Sequence, residues 1–66
     1  MRLTVNGAPV EVAASVTVAD LVAERAPEHR RVAVARNGEV VTRGEWATTS
    51  LAEGDEVEVL VPTAGG

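Results

Sequence analysis

The stretch Val16-Thr17-Val18-Ala19-Asp20-Leu21-Val22-Ala23-Glu24-Arg25-Ala26-Pro27 decides how the rest of the chain can fold. Thr17 followed three residues later by Asp20 is a capping box, in which each side chain serves a backbone N–H that a helix start leaves without a partner. Val16 before the cap and Leu21 at the fourth helical position make a hydrophobic staple. Val18, Leu21 and Val22 share one face, while Asp20, Glu24 and Arg25 point elsewhere. Pro27 closes the segment, because the residue before a proline is pushed out of helical geometry. The spacing predicts one helix over residues 18–26. It is too short to stand on its own propensity and must be held by packing.

Toward the N-terminus the period changes from helical to alternating. Leu3 and Val5 fall on one face and Arg2 and Thr4 on the other, which predicts a half-buried strand over residues 2–6. Asn6-Gly7-Ala8 is a tight turn, and Val10-Glu11-Val12 resumes the alternation to complete a hairpin. Pro9 lacks a ladder donor, which implies an edge position for this second strand. Toward the C-terminus, residues 31–36 make a third strand. Its alternate alanines, Ala33 and Ala35, suggest burial on both faces or a close neighbour. Asn37-Gly38 is a hairpin turn, since both central residues of a type I′ turn need positive φ. Glu39-Val40-Val41-Thr42 returns as a fourth strand. Arg43-Gly44-Glu45-Trp46 leaves the sheet, residues 47–50 form a polar connection without a helical pattern, and residues 51–55 turn at Gly54. The last strand, residues 56–61, puts Val57, Val59 and Val61 inward and Glu58 and Leu60 on the opposite face.

One helix cannot cover both faces of such a sheet, so the layers are one sheet with one helix across it. The order strand, strand, helix, strand, strand, strand is that of an α+β β-grasp, a mixed sheet of about five strands. A ferredoxin-like fold needs a second helix. In a β-grasp the final strand lies beside the first, in the middle of the sheet. Residues 1–62 form this domain, and residues 63–66 are expected as a flexible tail.

Composition excludes several functions. At 66 residues the chain is one small domain with no cysteine, so disulfides, thiolate metal sites and redox pairs are absent. The lone His29, beside Arg30 and Arg31, is read as a solvated loop residue, and no metal site is expected. A net charge of −4 and a pI near 4.8 argue against nucleic acid, which needs a basic stripe. No apolar run approaches a membrane span, and Met1-Arg2-Leu3 enters a strand pattern directly rather than a signal peptide, so a soluble, cytoplasmic protein is expected. All six basic residues are arginine. Only the Met1 α-amine is left to accept an isopeptide-type linkage, so polymeric chains of this protein are not expected.

No catalytic constellation emerges. Glu53, Asp55, Glu56 and Glu58 flank a glycine turn and the solvent face of a strand, where carboxylates solubilise rather than catalyse. As an acidic rim, Glu56 and Glu58 would steer the domain toward a basic partner surface. Leu60 sits opposite the inward valines: either the Trp46 segment covers that face, or Leu60 belongs to an exposed apolar patch of the kind that marks interfaces. Trp46, the one aromatic residue, is either packed in a satellite cluster or an anchor for a partner.

The remaining signal is the end, Thr63-Ala64-Gly65-Gly66. Glycine fits where no other residue can pass, and four extended residues reach at most roughly 13–14 Å. Such a peptide can enter a partner's channel and offer a carboxylate. A terminal carboxylate is ionised at neutral pH and is a poor electrophile. Adenylation by ATP would activate it, and sulfide delivered to the acyl-adenylate would give a thiocarboxylate. The inert alternative is a frayed terminus.

The run Val34-Ala35-Arg36-Asn37-Gly38-Glu39-Val40-Val41, then Arg43 and Glu45-Trp46, then Leu51-Ala52-Glu53-Gly54-Asp55-Glu56-Val57-Glu58-Val59, then Gly65-Gly66, resembles the ThiS family of thiamine-biosynthesis sulfur carriers. The likeness covers essentially the whole chain. Thr42 stands where the family has proline, and Pro62-Thr63 where it has small or aliphatic residues. Pro62 removes a backbone donor and would help the tail peel from the sheet. The resemblance implies a carrier protein, not an enzyme, with no catalytic residue and no bound cofactor. Its Gly66 carboxylate would be adenylated by an E1-like (ThiF-like) enzyme that consumes ATP, and sulfur would come from a donor such as a cysteine desulfurase. A thiazole synthase (ThiG-like) would take the sulfur from the thiocarboxylate. Gly66 would carry the reactive group and Gly65 would fit the partner channel; Glu56, Glu58, Leu60 and Trp46 are candidate partner contacts from their own placement along the chain, not from the resemblance. Alternatives are the same chemistry for molybdopterin or cysteine synthesis, a ubiquitin-like modifier, and a plain interaction module.

Overall fold

A computed structural model describes residues 1–27 and 31–61. Strand β1 (Arg2–Val5) and strand β2 (Ala8–Glu11) form the first hairpin, and helix α1 (Val18–Arg25) follows. Strands β3 (Ala33–Arg36) and β4 (Glu39–Val41) form the second hairpin, a 3₁₀ helix spans Arg43–Thr48, and β5 (Glu56–Leu60) completes the sheet. The strand order is β2-β1-β5-β3-β4. β5 therefore lies in the middle, parallel to β1 and antiparallel to β3. This is the expected β-grasp.

Both hairpins turn on Asn-Gly with both residues at positive φ, 51° and 83° at Asn6-Gly7 and 50° and 84° at Asn37-Gly38. That backbone twist matches the twist of the flanking strands. Pro9 sits on β2, an edge strand as expected. The capping box forms as read: the Asp20 N–H donates to Thr17 Oγ1 at 3.2 Å and the Thr17 N–H to Asp20 Oδ2 at 3.0 Å. The helix lays Val18, Leu21 and Val22 on one face of the sheet, where they meet Leu3, Val5, Val34, Val57 and Val59. Burying each such side chain contributes about 1.5–3 kcal/mol.

The structure decides between two readings of β3 and revises two further expectations. β3 is not buried on both faces: Val34 is buried, but Ala33 is exposed and Ala35 half-buried. Its small residues instead lie between two hydrogen-bonded neighbours, β5 and β4. The segment after β4, read as leaving the sheet into a polar connection without a helical pattern, is the 3₁₀ helix, closed where the Thr48 and Thr49 hydroxyls donate to the Glu45 carbonyl. Leu51, read as part of a turn, belongs to the core, because an antiparallel bridge between Thr17 and Ser50 draws it under α1. His29 lies outside the described residues.

Candidate functional site

β5 is the strand that leads to the glycine pair, and its surroundings are built around keeping it in place. On its β3 side, four residue pairs run from Ala33 opposite Leu60 to Arg36 opposite Val57. On its β1 side the ladder is shorter, with Thr4 opposite Glu56 and Val5 opposite Val57. Alternation along β5 buries Val57 and Val59 and exposes Glu56, Glu58 and Leu60. The start of the strand is held by the second hairpin turn. There the Asn37 N–H donates to the Glu56 carbonyl at 2.7 Å, and Asn37 Oδ1 accepts from the Glu56 N–H at 2.9 Å.

Asp55, just before β5, corrects the reading of a solubilising carboxylate. It is 7% exposed. Its Oδ2 accepts from Arg36 Nε at 2.8 Å and from the Ala52 N–H at 2.8 Å, and its Oδ1 accepts from Asn37 Nδ2 at 3.0 Å. Burial alone would push this carboxyl up. The Ala52 N–H, the Asn37 amide and the Arg36 guanidinium outweigh that and hold it below the ordinary aspartate value. Glu53 is engaged as well, with both carboxylate oxygens 3.2 Å from the Arg2 backbone N–H. Of the four carboxylates read together, only Glu56 and Glu58 stand on the open face of β5.

That open face carries a shallow groove lined by Thr4, Asn6, Gly7, Glu56, Val57, Glu58 and Leu60. Leu60 is 57% exposed, so the Trp46 segment does not cover it. Across β3 the register sets Ala33 beside Leu60, and Ala35 between Glu58 and the 77% exposed Val40. The face thus combines an apolar strip with two carboxylates at one rim.

Trp46 is placed elsewhere. It rides on the 3₁₀ helix, half-buried against the core, with its indole N–H donating to the Val41 carbonyl at 2.9 Å and the Arg43 guanidinium 5.2 Å from its ring centroid. The structure brings Glu56, Glu58 and Leu60 together and leaves Trp46 outside their groove. Gly65 and Gly66 lie outside the described residues. Among the described residues no group of His, Cys, Asp and Glu is arranged to hold a metal, and no helix is long and apolar enough to cross a membrane.

The sequence pattern of the ThiS family matches residues 3–66. The chain belongs to the ThiS family. That places it among the small sulfur carriers of thiamine biosynthesis. The crystal structure of the thiamine biosynthesis protein ThiS from Geobacter metallireducens is 40% identical, with a TM-score of 0.82 and all of both chains covered. SAMP1 from Haloferax volcanii, at 24% identity and a TM-score of 0.56 over 98% of this chain and 97% of that one, shares the fold. A thiazole synthase of Paramagnetospirillum magneticum is 36% identical over 66 residues. This ThiS-family chain spans about a fifth of that protein's length, 20% of it.

The Asn6 side chain also bonds the Val59 peptide, and the Asn37 side chain bonds Asp55 and the Glu56 N–H. In the sequence each belongs to an Asn-Gly turn signal, and that signal masks the reach of the amide. Nothing in a single sequence announces that an amide in one hairpin will reach a strand some twenty to fifty residues away.

Proposed function

We propose that this chain carries sulfur as a thiocarboxylate on Gly66 and yields it for thiazole formation. The observation that carries the reading is the position of β5. The strand running into residues 62–66 is the middle one, bonded on both sides, and a groove carrying Leu60 and the carboxylates Glu56 and Glu58 opens beside it. A reactive end emerging from such a strand has a fixed origin, and orientation of that kind lowers the barrier to transfer.

In the first step a Gly66 carboxylate oxygen attacks the α-phosphorus of ATP on an E1-like adenylating enzyme, and the bond to pyrophosphate breaks. In the second, hydrosulfide attacks the acyl carbon, and the carbon–oxygen bond to AMP breaks with its electron pair leaving on AMP. A cysteine desulfurase with a thiol reductant supplies that hydrosulfide. Neither step needs a metal, a redox centre or an acid–base pair from this chain. Gly65 lets the end thread the partner's channel, since a Cβ there would widen it. Glu56, Glu58 and Leu60 form the docking face, and the partner meets them with basic and apolar groups. The thiazole synthase relative supports the assignment of the acceptor, because it carries a segment like this chain.

Intact mass after incubation with ATP, the adenylating enzyme and a sulfide source tests the proposal. Replacement of one oxygen by sulfur, absent in a chain lacking Gly66, is expected. New high-mass conjugates would instead mark a modifier, and an unchanged mass would refute the carrier chemistry.

A further inference from the structure

The ladder between β1 and β5 stops early. The Asp55 and Val57 carbonyls accept from the Thr4 and Asn6 N–H groups, at 3.0 and 2.9 Å, and then β1 turns away at Asn6. By alternation, Val59 is the next residue of β5 whose peptide groups face that side. No β1 residue stands opposite it, and a peptide group without a partner is costly. The Asn6 side chain takes both groups: Oδ1 accepts from the Val59 N–H at 2.8 Å, and Nδ2 donates to the Val59 carbonyl at 3.1 Å. A carboxamide offers one acceptor and one donor in the arrangement of a peptide. It therefore supplies the missing rung. The turn alone does not ask for this, since glycine meets the positive φ of that position equally well.

Val59 is two residues from Val61, after which the chain enters Pro62, and Asn6 lines the same groove as Glu58 and Leu60. We propose that Asn6 is a positioning residue for transfer at Gly66. Its carboxamide fixes the outgoing end of β5, so that a partner docked in the groove meets the departing chain at one constant angle. The inference rests on the carrier reading above.

The test compares the wild-type chain with Asn6→Gly, Asn6→Asp and Thr17→Ala in ATP–pyrophosphate exchange on the adenylating enzyme, with hydrogen exchange of the Val59 amide read on the same samples. Asn6→Gly keeps the turn and removes both bonds; Thr17→Ala weakens α1 without touching β5. In Asn6→Gly the Val59 amide exchanges about tenfold faster or more, and kcat falls about tenfold while KM stays within about twofold. Asn6→Asp keeps the acceptor for the Val59 N–H and falls between. Thr17→Ala matches the wild type in both constants. An Asn6→Gly chain with wild-type kcat overturns the positioning role alone, as does an equal loss in Thr17→Ala. A wild-type chain that is no substrate overturns the carrier reading, and the positioning role with it.

Discussion

Removing the Asp55 carboxylate tests whether a buried charge secures the start of β5. The Asp55→Ala chain loses three hydrogen bonds at once, from Arg36, Ala52 and Asn37. Breaking a buried pair costs about 3–5 kcal/mol when the surviving charge is sealed from water. Here the Arg36 side chain is 35% exposed. It recovers solvent, which lowers the expected loss to about 2–3 kcal/mol. A domain of this length has a total stability of roughly 3–10 kcal/mol, so the variant gives up at least about a fifth of it. Its thermal midpoint falls by about 10–20 °C. Urea unfolding followed by far-UV circular dichroism, with Trp46 fluorescence as second probe, measures the difference. The pH dependence supplies a second arm. The folded Asp55 carboxyl is held below its unfolded value, so its contribution is complete above about pH 5 and is lost as pH falls through the folded value. The gap between wild type and Asp55→Ala should therefore be flat near neutrality and narrow in acid. A variant within about 0.5 kcal/mol of the wild type, or a gap unchanged in acid, would refute the reasoning.

Thr17→Ala removes the Oγ1 acceptor at the start of α1 and should cost about 1 kcal/mol in urea unfolding. Trp46→Phe retains an aromatic ring beneath Arg43 but deprives the Val41 carbonyl of its indole donor; a loss of about 1 kcal/mol by the same assay is expected. Replacing both Glu56 and Glu58 by glutamine should slow association with the adenylating enzyme severalfold at low ionic strength and little at high, as stopped-flow mixing would show.

The fold was legible wherever one local rule sufficed. The Thr17–Asp20 box, the Asn-Gly turns and the alternation of Val57 and Val59 each constrain a few adjacent residues, and each appears as read. The central place of β5 followed from element order and the single helix. What escaped depends on contacts between distant segments. Asp55 looks like Glu56 in sequence, and only the approach of Arg36 and Asn37 makes it a buried partner. The 3₁₀ helix holds one large apolar residue, Trp46, and six residues are too few for a period to register. Of the candidate site, the exposed Glu56, Glu58 and Leu60 followed from parity along one strand, whereas their grouping with Thr4, Asn6 and Gly7 needed the β1–β5 register.

The middle strand is also the last of the five to be synthesised, and this has a consequence in the cell. Until the ribosome has delivered residues 56–60, the two hairpins have no shared edge to join them, and β1 has no parallel mate. Contacts that span so much of the chain close late. Products broken off before Glu56 would lack the keystone and remain open to proteases. Debris of this protein would be cleared instead of accumulating as half-folded chain.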